Sequence, residues 1–230
     1  MTLASAPRVD VPLVTTESGL LVPAGLVDRD AVGGGGGGLS YLSAFTALGF
    51  NGEVDHPADY TLGDELLIFG GGRSGPTYTL IDYTWAAWGG GTSGGNAFCY
   101  YSYRTSAEVI ASETMNFSFG RTAGWCLIAV SGGVFHLGGG ASGYSTTPQS
   151  PDITTTADGC RIFRATGVRD TSGTVTPGSG TVVANEEFSE GRLCVVDEGI
   201  QGAAGATGTY DFSTSVEYSW YAVTVAVEPS

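Results

Sequence analysis

The sequence predicts an all-β protein: an antiparallel β-sandwich of jelly-roll or immunoglobulin-like type, preceded by an extended N-terminal arm. Three observations lead there. Glycine supplies 38 of the 230 residues, against a usual ~7%. These glycines separate short runs rich in aromatic and β-branched residues, as tight turns separate strands. No stretch sustains a helical period long enough for a convincing helix. The third observation is an internal offset of 95 residues. Asn116-Phe117-Ser118 leads to Trp125 as Asp211-Phe212-Ser213 leads to Trp220, and the same offset carries Cys99 onto Cys194. It also carries Thr79 onto Thr174, Thr114 onto Thr209 and Leu67-Ile68 onto Ile162-Phe163. Trp and Cys number only four each, so their agreement in one register points to a pseudo-repeat. The two halves, about 63–135 and 158–230, are expected to bury their apolar faces against each other.

Taken in order, residues 1–32 form the arm, read as one or two short extended segments. Its apolar residues Val9, Val11, Leu13, Val14, Leu20, Leu21 and Val22 are the expected partner-anchoring side chains. Six consecutive glycines, 33–38, follow as a flexible linker, and the sandwich occupies 39–230. Residues 39–50 carry Leu42, Phe45 and Leu48, a spacing shared by a strand and a single helical turn. Strands are then expected at 65–69, 78–83, 98–104, 115–119, 124–131, 160–165, 181–185, 192–196, 210–214 and 219–227. Gly70-Gly71-Gly72 and Gly89-Gly90-Gly91 read as punctuation between them. In the last strand Tyr221, Val223, Val225 and Val227 share one face. Trp220, Ala222, Thr224 and Ala226 share the other, and those small residues beside a tryptophan suggest the closer sheet contact. The run Trp125-Cys126-Leu127-Ile128-Ala129-Val130 has no polar face and should be central, buried on both sides.

A chain of this length can bury roughly 70–75% of its unfolded surface without metal or disulfide staples. Charge narrows the function classes. Nine arginines and no lysine face 23 acidic residues, for a net charge of −14. Such a surface repels phosphates, which argues against nucleic acid and against anionic membranes; it favours solubility at high copy number. Residues 1–10 lack the basic-then-apolar layout of a signal peptide, and no apolar run approaches the ~20 residues of a membrane-spanning helix. The cysteines, Cys99, Cys126, Cys160 and Cys194, match no metal clip or redox motif. Reduced, buried thiols are expected in preference to a disulfide.

Catalytic signatures are thin. His56 and His136 are the only histidines and read as satisfied surface or edge residues. Gly91-Thr92-Ser93-Gly94-Gly95 fits G-x-S-x-G, but without the strand-then-helix setting of a nucleophile elbow. The hexaglycine run fits G-x-G-x-x-G with no βαβ unit around it. The acidic groups Asp28/Asp30, Asp55/Asp59 and Asp197-Glu198 do not form an EF-hand loop, and Glu186, Glu187 and Glu190 read as a solvated acidic loop. No catalytic residue, metal ligand or cofactor is therefore assigned. The stronger lead is aromatic: Tyr83, Trp85, Trp88, Tyr101 and Tyr103 supply more aromatic surface than one core face needs. They are candidates for glycan or protein contact.

Several segments together resemble a Gly-rich β-sandwich domain common in virion proteins of tailed phages. They are Gly63-Asp64-Glu65-Leu66-Leu67-Ile68, the strand bearing Trp125 and Ala129, and Ala157-Asp158-Gly159-Cys160-Arg161-Ile162. The stretch from Gln201 to Thr209 and the closing Trp220-Tyr221-Ala222-Val223-Thr224-Val225-Ala226 continue it. The likeness covers about 55–228. It departs where Pro177-Gly178-Ser179-Gly180 stands in place of the tryptophan expected after the first long loop of the second half. The resemblance implies a non-enzymatic virion component, capsid-decorating or of the minor tail, assembled in the host cytoplasm. Its implied partners are other virion proteins and further copies of itself, with the arm as anchor by strand addition. The alternatives are a carbohydrate-binding module reading host glycans through the Tyr/Trp clusters, and a hydrolase with a loop-built site.

Overall fold

The computed structural model describes residues 13–15, 21–23, 39–54, 63–73, 79–80, 89–93, 97–105, 115–169, 174–188 and 191–230. The chain divides into two units, Met1–Gly33 and Gly34–Ser230, so the division falls inside the hexaglycine run. In the first unit β1 (Leu13–Thr15) and β2 (Leu21–Pro23) pair antiparallel. The register sets Leu13 opposite Pro23, Val14 opposite Val22 and Thr15 opposite Leu21. Four of the expected anchoring residues thus lie in this ladder, where Val14 and Val22 face each other; Val9, Val11 and Leu20 lie outside the described residues.

The second unit is built from two antiparallel sheets, each contiguous in sequence. Strands β3 (Ser40–Val54), β4 (Glu65–Arg73), β5 (Thr79–Leu80), β6 (Gly89–Ser93), β7 (Ala97–Thr105) and β8 (Met115–Ser131) make the first. Its order is β3-β8-β4-β7-β6, with β5 also on β8. Next come β9 (Gly133–Ser145), β10 (Gln149–Ser150), β11 (Thr154–Thr155), β12 (Arg161–Val168) and β13 (Val175–Pro177). After them come β14 (Thr181–Phe188), β15 (Gly191–Ile200), β16 (Gly205–Ala206), β17 (Tyr210–Thr214) and β18 (Tyr218–Pro229). The second sheet runs β14-β15-β12-β18-β9, while β10-β17-β13 and β11-β16 form small additional ladders. The all-β, antiparallel expectation is met.

Alternation decides what each sheet buries. The first sheet sends Leu67, Phe69, Cys99, Tyr101, Cys126, Ile128 and Val130 into the shared core; the second sends Phe163, Ala165, Leu193, Val195, Val223, Val225 and Val227. Gly124 through Val130 are all buried, and β8 lies between β3 and β4, as its uninterrupted apolar run requires. In β18 the valine face, rather than the Trp220 face, meets the opposite sheet. Trp220 and Ala222 turn outward, under a layer that includes Val175, Tyr210 and Phe212. Branched side chains fill the wide inter-sheet gap, and the small ladder β10-β17-β13 adds a third layer over the tryptophan.

The central strand orders correspond, β7-β4-β8 in one sheet and β15-β12-β18 in the other. Gly71 pairs with Cys99, and Thr166 with Cys194, so this ladder keeps the 95-residue spacing. The facing does not. Cys99 enters the shared core, whereas Cys194 lies in the outer cluster. Between β8 and β18 the same offset does keep the facing, since it carries Ile128 onto Val223 and Val130 onto Val225, all four in the shared core. On the third strand Trp125 pairs with Gly70 but Trp220 with Val168.

Glycine runs expected as punctuation lie within strands. Gly70, Gly71 and Gly72 belong to β4, and Gly89, Gly90 and Gly91 belong to β6. Side chains explain them: a Cβ at Gly70 would meet the Trp125 ring and at Gly91 the Tyr221 ring. Gly89 and Gly138 both lie against the Tyr101 ring, and Gly91 and Gly140 against Tyr221. Two tyrosines thus fill the space between edge strands β6 and β9, where the Ser93 hydroxyl also donates to the Gly143 carbonyl at 3.2 Å. Gly138 and Gly140 of β9 are therefore explained by aromatic rings from other strands, Tyr101 of β7 and Tyr221 of β18.

Candidate functional site

Two polar constellations stand out on the second sheet. The first centres on Arg164, fully buried on the outward face of β12. Every N–H of its guanidinium has an acceptor. Nε donates to Glu198 Oε2 at 2.5 Å. Nη1 donates to the Pro151 carbonyl at 3.0 Å and Thr224 Oγ1 at 2.6 Å. Nη2 donates to the carbonyls of Thr207 and Gly208 at 3.0 and 3.1 Å. The Tyr210 ring lies 5.9 Å from the guanidinium carbon. On the same strand Arg161 grips Asp197 through Nε and Nη2, and Asp197 also accepts from the Gly199 amide at 2.8 Å. The pair Asp197-Glu198, one of the acidic clusters weighed for metal binding, is therefore committed to arginines. Among the described residues no group of three or more His, Cys, Asp or Glu is placed to hold a metal ion. Asp28, Asp30, Asp55 and Asp59 lie outside those residues.

The second constellation gathers His136 on β9, Glu228 on β18 and Thr156 just after β11. His136 Nδ1 stands 2.9 Å from Glu228 Oε2. Its Nε2 accepts from the Thr156 amide at 3.1 Å and lies 3.3 Å from Thr156 Oγ1. Hydroxyl, imidazole and carboxylate in a row are the components of a nucleophile–base–orienter triad. One contact makes the arrangement unsuited to that task. The Nε2 lone pair, which a general base must offer to the hydroxyl, is occupied by the Thr156 N–H. With Nδ1 facing Glu228 and Nε2 accepting from the amide, the ring serves as a connector. The expectation that His136 is a satisfied edge residue thus gains its partners; His56 lies outside the described residues.

The aromatic candidates divide. Tyr101 is only 7% exposed and belongs to the shared core. Tyr103 is half-buried against that core, stacked on Phe135 with centroids 3.7 Å apart and planes within 3°. Tyr101 is thus taken up by packing, in the room that the glycines of β6 and β9 leave for its ring, and Phe135 stacks on one face of Tyr103. Burial, followed by the neighbouring Tyr103 and Tyr221, also raises the Tyr101 phenol above its usual range. Tyr83, Trp85 and Trp88 lie outside the described residues. Among the exposed large apolar side chains is Tyr144, at 68%, which sequence reasoning passed over because it sits in a glycine-rich run.

All four cysteines are free and buried. Burial raises every thiol; for Cys194 it does so to about 12, with the Arg192 charge opposing it. For Cys99, Cys126 and Cys160 the direction is the same, again chiefly from burial. None of them has thiolate character at neutral pH, so they behave as small apolar residues.

No protein family, no curated protein and no solved structure matches this chain.

Proposed function

We propose that this chain is a non-enzymatic structural component of a tailed-phage virion, decorating the capsid or belonging to the minor tail. In this reading the sandwich is displayed and the N-terminal unit attaches it. The observation that carries the proposal is the division at Gly33/Gly34, which separates a short β-hairpin from an all-β body. Supporting it, the conspicuous polar groups of the body are spent on its own loops, as Arg164 and His136 illustrate. The resemblance to Gly-rich virion sandwiches supplies the setting. A two-stranded hairpin is marginal alone in water, so a partner that adds to its edge would stabilise it. The acidic surface suits repeated display on a particle, since like-charged copies resist aggregation.

The test removes residues 1–38 and follows both folding and incorporation. The truncated protein should melt at the temperature of the full chain yet fail to co-sediment with particles assembled in its presence. Normal incorporation of the truncated protein would overturn the anchoring reading. A carbohydrate-binding role rests on fewer residues than the sequence suggested, since Tyr101 is committed to packing.

A further inference from the structure

We propose that His136, Glu228 and Thr156 form a proton-sensitive clasp, which holds the 154–158 stretch at neutral pH and releases it when the imidazole takes up a proton. The argument follows from the two faces of the ring. Toward β18, Nδ1 faces Glu228 Oε2 at 2.9 Å, a contact that protonation preserves and strengthens, because a cation then meets a carboxylate. Toward the loop, Nε2 is an acceptor for the Thr156 amide at 3.1 Å. A proton on Nε2 would point at that N–H, and two donors repel. The Thr156 hydroxyl, 3.3 Å away, can rotate to accept the new proton. The amide cannot, so the backbone bond is the part that fails.

The charged and titratable groups near the ring come from several elements. Glu228 comes from β18. Asp158 belongs to the segment the clasp holds, and the Cys160 thiol, just beyond it, is raised first by burial and then by Glu228. Glu65 on β4 accepts from the amide of the adjacent Phe135 at 3.2 Å. β9 contributes no charged side chain of its own. The nearest arginine on β12, Arg161, is engaged with Asp197.

The consequence is local. The 154–158 stretch is fastened elsewhere by the two-residue β11–β16 ladder and by Asp158, which accepts from the Ala204 amide at 2.7 Å. It adjoins a small cluster of Ile153, Cys160, Ile162 and Ala226, against which Ala157 packs. Loss of the His136 bond removes one of few ties and loosens that cover. The core ladders of β12 with β15 and β18 are not involved.

Amide hydrogen exchange on the full chain tests this at about pH 8 and about pH 5, the range over which imidazole changes charge. After correction for intrinsic rates, protection at 154–158 should fall about fivefold or more on acidification, while amides of β12 and β18 keep theirs. The neutral variant His136→Gln should abolish the difference. Protection at 154–158 that is the same at both pH values in the natural protein would overturn the proposal. So would an equal fall in His136→Gln, which would assign the response to Asp158 or another carboxylate.

Discussion

At Gly167 the two sheets approach until no side chain fits between them. A Cβ there would collide with the Phe98 carbonyl oxygen and stand 3.2 Å from the Cα of Gly71. Both obstacles are backbone, which cannot swing aside. Gly167→Ala should therefore cost about 2–3 kcal/mol or more by overpacking, read as a shift in denaturation midpoint. Gly202→Ala is the matched control: nothing lies within 4 Å of its would-be Cβ. There the restriction of the unfolded chain should leave stability unchanged or raise it by up to about 1 kcal/mol. Equal losses at the two sites would refute the close approach. In the sequence these residues look alike, because a glycine's letter does not reveal whether a turn, a ring or another backbone demands it. Burial of Trp125 and Cys126 was legible, since an all-apolar run admits one explanation.

Arg164 works at the scale of the element. It joins β12 to β15 through Glu198, to β18 through Thr224, and to two connecting segments through the carbonyls of Pro151, Thr207 and Gly208. Replacing it with methionine would leave a carboxylate and three carbonyls without that donor, at a cost of about 3–5 kcal/mol. Arg164→Lys should recover little, because an ammonium lacks the planar fork that reaches acceptors on several sides. Thermal or urea denaturation of the two variants distinguishes these outcomes, and a fully stable Arg164→Lys would sink the argument. The sequence shows a strand containing Arg161 and Arg164, but not that three connecting-segment carbonyls converge on one side chain. The same limit hid β6 and β9. Their glycines pack under Tyr101 and Tyr221, so the signal for those strands lies elsewhere in the chain. His136 was legible as a satisfied residue, whereas its partners, Thr156 and Glu228, come from distant positions that no spacing rule connects.

For the whole molecule, the fold class was readable because turns and apolar runs alternate along nearly the entire chain. The two sheets also fall on successive halves, residues 40–131 and 133–229. Residue-by-residue symmetry was less legible, since the offset keeps the facing of Ile128 and Val223 but reverses that of Cys99 and Cys194. Charge acts at this scale as well. With a net charge of −14, mutual repulsion opposes compaction, and salt relieves it. Between about 0.01 M and about 1 M salt the screening length falls from about 30 to about 3 Å. The melting temperature should rise by at least about 2 °C over that range. A fall instead would mean that ion pairs such as Arg161–Asp197 outweigh the repulsion.

The enclosure of all four thiols carries a practical corollary. A maleimide added to the folded protein meets no native sulfur, so the natural cysteines need not be removed before labelling. A single cysteine introduced at the exposed Tyr144 would be the one addressable handle on an otherwise silent scaffold, ready to carry a dye or a gold cluster.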